Sequence, residues 1–215
     1  MKNLIKVVLL ILVMITGSEP QGFDLPSQGV QKFSLKDSTG RNQALFFSEA
    51  RYENVTGLAN DVWGEISFDV KDILSTLQGE ISISTTSIKT GIKLRDEQLQ
   101  SVMWLYSEKY PFITFRIRKV NSVDLIEPNY VKVMVTGDFT LHGQTRPVYA
   151  TAKIKYIAEN EYTKSIRPGN LVNISARFNI KLSDFKVNNS FIGDRVSDDI
   201  LITASLIGSD AEINK

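Results

Sequence analysis

The chain of 215 residues contains no cysteine and a single histidine, His142. The first absence excludes disulfides, thiolate nucleophiles, thiolate zinc sites and a cysteine-linked lipid anchor. The second excludes a metal site built from several imidazoles. Charge of one sign is missing too. The 25 basic and 24 acidic residues leave a formal net charge of +1, so no global field draws the protein to nucleic acid or to an acidic surface. Lysines and arginines do not interleave with aromatics as in a platform for single strands, and no phosphate-loop signature is present. A bilayer crossing needs about 20 apolar residues, and the apolar run Val7 to Ile15 is shorter than that. Lys2 and Lys6 precede this run and Thr16-Gly17-Ser18 follows it, which is the three-part pattern of a secretory signal peptide. Residues 1–18 are therefore expected to be a cleaved signal peptide, with Gly22 as an alternative cut position. The mature protein is expected to be periplasmic or secreted.

What is abundant is alternation. Along Tyr130 to Leu141, Val131, Val133, Val135, Phe139 and Leu141 share one face, and Lys132, Thr136, Asp138 and Thr140 the other. Val172, Ile174, Ala176, Phe178, Ile180 and Leu182 form a second stripe. Val148, Ala150, Ala152, Ile154 and Tyr156 form a third. Shorter stripes follow from Ile113, Phe115 and Ile117, from Ile81 and Ile83, and from Val62, Ile66 and Phe68. A period of two marks strands with one buried face. Turn signals separate them, among them Glu127-Pro128-Asn129, His142-Gly143-Gln144 and Arg167-Pro168-Gly169-Asn170. Consecutive strands joined by short turns form an antiparallel meander, and about eight of them close most economically as an up-and-down barrel without exposed edges.

One segment departs from this period. From Leu94 to Tyr106, the residues Leu99, Val102, Met103 and Tyr106 recur at helical spacing, Asp96 and Glu97 occupy the first turn, and Pro111 ends the segment. The spacing predicts one short helix against the barrel or across its mouth. The acidic pairs Asp96/Glu97 and Asp198/Asp199 point apart on a helix or strand and do not share a cleft, which favours capping or solvated roles over acid–base chemistry. His142 lacks a nucleophile and an orienting partner and reads as a turn residue. Asn54, Asn173 and Asn188 begin glycosylation sequons, to which no glycan is assigned. The stripes admit either a filled core or a hollow lumen. Small residues on them (Gly64, Gly137, Ala150, Ala152 and Ala176) lean toward space inside.

Three groups of residues carry a family resemblance. They are Arg95-Asp96-Glu97-Gln98-Leu99, then Lys109-Tyr110-Pro111 with Ile113-Thr114-Phe115, then Gly137 to Gly143 with Thr145-Arg146-Pro147-Val148. In this order they resemble the YceI-like family of exported bacterial proteins. Thr85 to Gly91 and Ser183-Asp184-Phe185 fit the same pattern. Gln98 stands where the family usually has histidine, and Ala44 to Gly57 has no histidine either, so no histidine role carries over and the chain looks like a divergent subgroup.

The resemblance implies an all-β, lipocalin-like antiparallel barrel over residues 30–209 that carries a lipid and performs no catalysis. The implied ligand is a long-chain polyisoprenoid or a quinone-like amphiphile, with no metal or other cofactor, no nucleic acid partner, and transient contact with a membrane. In that barrel the stripes assign Phe68, Ile113, Phe115, Val133, Val135, Phe139, Ala152, Ile154, Ile174 and Phe178 to the lumen wall. Trp63, Arg95 and Trp104 are assigned to the mouth, with Arg116 as a further polar group there. Two other readings remain at this level, because fold does not fix function. One is an interaction module whose barrel is filled by side chains. The other is an enzyme acting on an isoprenoid or quinone-like substrate, with a polar group of shifted pKa deep in the lumen. Neither composition nor motif specifies the oligomeric state.

Overall fold

The structure is a computed structural model that describes residues 21–37 and 39–211; the segment read as a signal peptide lies outside the described residues. Ten strands run β1 (Val30–Ser34), β2 (Gln43–Glu49), β3 (Asn54–Ala59), β4 (Val62–Asp69), β5 (Gln78–Ser84), β6 (Phe112–Glu127), β7 (Tyr130–Leu141), β8 (Gln144–Ile157), β9 (Leu171–Lys181) and β10 (Asp199–Ser209). All their pairings are antiparallel, in the order β1-β4-β5-β6-β7-β8-β9-β10-β2-β3. A further pairing of β1 with β10 closes a barrel of eight strands and leaves β2 and β3 as a hairpin added to β10. Along β7, buried residues alternate with less buried ones from end to end, as the period-two pattern requires of a strand with one face in a core.

The two ends differ. One end is filled. Phe33 stacks on Phe68 at 5.4 Å, Phe23 lies 5.8 Å from Phe68, and Tyr156 stands edge-on to Phe33 at 6.2 Å. Helix α1 (Ile73–Thr76), capped by the Asp72 carboxylate, buries Ile73 there. The other end is covered by three segments. These are the β2–β3 turn, the stretch from Thr85 to Pro111 with helix α2 (Lys93–Gln100), and the loop between β9 and β10.

Among the described residues there are three α-helices where the periodicity predicts one. Helices α1 and α3 (Glu161–Ile166) have four and six residues, too short to display a helical period. The predicted helix is itself shorter. It stops at Gln100, where Ser101 turns extended and directs both its N–H (3.0 Å) and its hydroxyl (2.6 Å) to the Gln98 carbonyl. The chain then folds back, with Leu105 N–H donating to Leu99 O and Ser107 N–H to Gln100 O, both at 3.0 Å. This reversal turns Trp104 and Leu105 inward and leaves Val102 and Met103 exposed, so the helical face anticipated from spacing does not form. Among the described residues no helix is long and apolar enough to cross a membrane.

Candidate functional site

Between the aromatic plug and the covered end lies an apolar cavity of about 180 Å³. Its walls come from every barrel strand except β1, together with the β2–β3 hairpin and the cover. Of the residues that line it, only Thr114 and Trp104 have a polar side-chain atom.

The space has a definite source. Ala152 pairs with Ala176, Ala176 with Ala204, Ala204 with Ala44, and Ala44 with Ala59. Strand register thus sets five alanines side by side on β8, β9, β10, β2 and β3, and all five line the cavity. A belt of single methyl groups leaves a gap that larger side chains would close. Other parts of the wall are aromatic. Phe178 lies 5.5 Å from Phe115 and 5.3 Å from Phe139, and Phe139 stands edge-on to Phe185 at 5.5 Å.

Ile113, Phe115, Val133, Val135 and Phe139 line this space, as do Ala152, Ile154, Ile174 and Phe178. Phe68 does not; it is fully buried in the plug between Phe33 and Phe23. It keeps the inward phase of Val62 and Ile66 but stands one step beyond the hollow part of the barrel. Among the expected mouth residues, Trp104 lines the cavity from the cover. Trp63 does not, because the alternation that turns Val62 and Ile66 inward turns Trp63 outward. It packs edge-on to Phe112 at 5.4 Å and borders a separate, more polar groove with Lys32, Glu80 and Arg116. Arg116 is held there by Glu80 at 2.6 Å and is not at the mouth.

Arg95 is in the cover, where its Nη2 meets Glu53 Oε2 at 3.1 Å while Arg195 Nε meets Glu53 Oε1 at 3.2 Å. This cluster joins all three covering segments. The Ser48-x-Ala50-x-x-Glu53 pattern marks its acidic member, but its two basic partners lie 42 and 142 positions further on, so sequence spacing gives no hint of it. Leu99 lines the cavity from α2, as its helical spacing suggests, whereas Leu105, Val187 and Val196 line it from loops that have no period and so carry no sequence signal.

The small glycines of the stripes are not part of the space. A Cβ on Gly137 would lie 2.4 Å from Phe115 Cζ, because that ring already fills the position. One on Gly64 would meet the Glu80 carbonyl. His142 sits at the β7–β8 turn, its Nδ1 3.2 Å from Phe185 O and its ring edge-on to Tyr110 at 5.1 Å. Asp37 and Asp96, whose carboxyls are held low, and Lys181, whose amine is held high by Asp199, do not line the cavity. No cluster of metal-binding side chains occurs among the described residues.

A family model described as the YceI-like domain matches residues 37–207. The UPF0312 protein of Vibrio campbellii is 31% identical over 119 residues, which are 54% of this chain and 60% of that protein. Protein YceI of Escherichia coli O157:H7 is 30% identical over 136 residues, which are 63% of this chain and 65% of that protein. The chain thus spans less than two thirds of the length of these relatives. Among solved structures, a polyisoprenoid binding domain from Saccharophagus degradans implicated in plant cell wall breakdown aligns with a TM-score of 0.60. That alignment covers 85% of this chain and 99% of that one at 14% identity, and it shows the same fold.

Proposed function

The chain belongs to the YceI-like family, and from that premise we propose that it is an exported carrier that holds the tail of a long-chain amphiphile in its barrel. The observation that supports this reading is the apolar cavity behind the alanine belt. A cavity of about 180 Å³ is on the scale of one that admits a small apolar guest. It is narrower than the roughly 300–1,000 Å³ of pockets for drug-sized ligands. The small volume and apolar lining suit part of a hydrocarbon tail, such as an isoprenoid chain, better than a large ring system. With Thr114 and Trp104 as the polar-bearing residues of the wall, a hydrophilic head buried inside would lose its hydrogen bonds to water at a cost of several kcal/mol. The head therefore stays at the covered end. A polyisoprenoid is the leading candidate, consistent with the name of the structural neighbour from Saccharophagus degradans.

Energetics point to exchange with a membrane. Burial from water is worth about 0.8 kcal/mol per CH₂, and a tail of many carbons would reach the practical affinity limit of about −20 kcal/mol. Taken from a bilayer, the same tail moves between two apolar surroundings, and the net gain is small enough for release. Export fits the N-terminal pattern of residues 1–18.

The test is native mass spectrometry of protein purified from its exported compartment without detergent, followed by solvent extraction. A stoichiometric lipid of defined mass is the expected result. Ala152→Trp should remove that lipid while far-ultraviolet circular dichroism still reports a folded barrel. An empty wild-type protein that also takes up no long-chain lipid from vesicles would sink the carrier reading and favour an interaction module.

A further inference from the structure

A lid over an apolar cavity is ordinarily polar on its outer side. Here the cover is apolar on both. Leu99, Trp104, Leu105 and Val196 face the cavity. On the outside, Leu94 (64%) stands on α2, Ile92 (49%), Val102 (64%) and Met103 (49%) flank it, Phe191 (36%) stands on the β9–β10 loop and Tyr52 (66%) on the β2–β3 turn. Other exposed apolar side chains, such as Ile126, Met134 and Tyr149, lie on the barrel strands β6, β7 and β8, outside the cover.

The three segments form one platform. Asn189 Nδ2 donates to Met103 O at 3.1 Å, Tyr52 N–H donates to Asp194 O at 3.0 Å, and Glu53 bridges Arg95 and Arg195. Its charges cancel locally. Arg51 pairs with Asp194 and Lys93 with Glu97, and the Asp96 carboxylate accepts from Thr90 N–H (2.6 Å) and Thr90 Oγ1 (2.7 Å). Across residues 50–53, 85–111 and 182–198, seven basic residues are balanced by seven acidic ones.

We propose that this end of the barrel docks on the lipid bilayer itself, with Leu94, Val102 and Met103 entering the headgroup–acyl boundary, so that the cavity opens toward the membrane. Two observations select this occupant. The exposed Val102 and Met103 directly precede Trp104 and Leu105, which line the cavity, so one short segment presents apolar groups to both sides. The balanced charge matches a surface without net charge and rules out a polybasic mode of attachment, which would depend on anionic lipid. Side chains of this type bind an interface through buried apolar area, and the exposed Lys93 among them can extend to the headgroups.

The proposal rests on the carrier reading, and the experiment separates the two. The protein is mixed with phosphatidylcholine vesicles at low and high salt, and the bound fraction is measured by flotation. In parallel, free farnesol is titrated against tryptophan fluorescence, since Trp104 lines the cavity. Wild type should float with the vesicles at both salt concentrations. Leu94→Glu/Met103→Glu should lower the partition coefficient at least about tenfold and leave the farnesol response intact, which also shows the variant folded. Farnesol uptake without flotation of wild type, or unchanged flotation of the double variant, overturns the docking surface and leaves the carrier reading standing. Flotation that disappears at high salt overturns apolar docking in favour of charge attraction. Flotation without farnesol uptake supports the surface and overturns the carrier reading.

Discussion

At the scale of single residues, the wall shows that small size and empty space are different properties. Gly137 and Ala152 both look like gaps in a stripe. The Phe115 ring lies over Gly137 diagonally across the β6–β7 pair, where a Cβ would come within 2.4 Å of Cζ. Ala152 has no such neighbour filling it and borders the cavity. Gly137→Ala should therefore force the ring from its rotamer and destabilise the protein by about 1–3 kcal/mol, as overpacking does. Urea unfolding measures this. The loss should shrink when the same substitution is made in a Phe115→Leu background, and equal losses in both backgrounds would show that the ring is not the cause. Phe68 makes the complementary point. Its inward phase is right, but the Phe33 and Phe23 rings occupy the space it would otherwise border.

At the scale of elements, the cover depends on how α2 is tethered. Ile92 supplies no side-chain cap, and the tether is instead the Asp96 carboxylate, which reaches back to Thr90. The Thr90 backbone N–H, and then its hydroxyl working against partial burial, holds the Asp96 carboxyl below its ordinary value of 3.8. A carboxyl depressed in the folded state contributes stability that is fully present above its unfolded value and disappears as pH falls through the folded one. The cover should therefore loosen below about pH 3.8 and not above it. In a Trp63→Phe background, Trp104 fluorescence followed from about pH 5 down to about pH 2 should report a transition that Asp96→Asn abolishes, because that variant has already lost the ionic form. An identical acid transition in Asp96→Asn would assign it elsewhere. Asp37 is the obvious other source. Burial raises its carboxyl, but hydrogen bonds from Arg41 and Thr39 outweigh that and hold it below the usual carboxylate range.

At the scale of the whole molecule, the barrel depends on a narrow seam. β1 and β10 share one residue pair, Ser34 with Ser209, and side chains complete the closure. The Asn42 amide, almost fully buried, donates to Leu35 O and to Ile207 O (3.2 Å) and accepts from Ile207 N–H at 2.7 Å. Arg167, also buried, reaches Lys36 O at 2.7 Å and lies 3.6 Å from Asp37. Asn42→Ala leaves backbone groups of both seam edges unpaired, at about 1–3 kcal/mol for each buried group. It should lower the denaturation midpoint and raise hydrogen exchange at Ile207 and its neighbours on β10 before the rest of the sheet. Uniform exchange across β6, β7 and β8 would show that the seam is no weaker than the rest.

The sequence by itself determined strands β4 to β9, because burial of one face imposes a period of two that survives without knowledge of any partner, whereas β1, β2 and β3 carry no such stripe. It also determined the order of turns, the closed all-β class, and the inward phase of Val133, Val135, Ile154, Ile174 and Phe178. Only the tertiary structure decided where the barrel is hollow. The belt of Ala44, Ala59, Ala152, Ala176 and Ala204 exists because five strands pair in one particular register. Register is a relation between segments up to about 160 residues apart in this chain, and no local pattern encodes it. The same holds for the Arg95–Glu53–Arg195 cluster and for the outward turn of Val102 and Met103. The cluster follows from long-range contacts, and the turn from backbone hydrogen bonds within residues 98–107 that end the helical spacing.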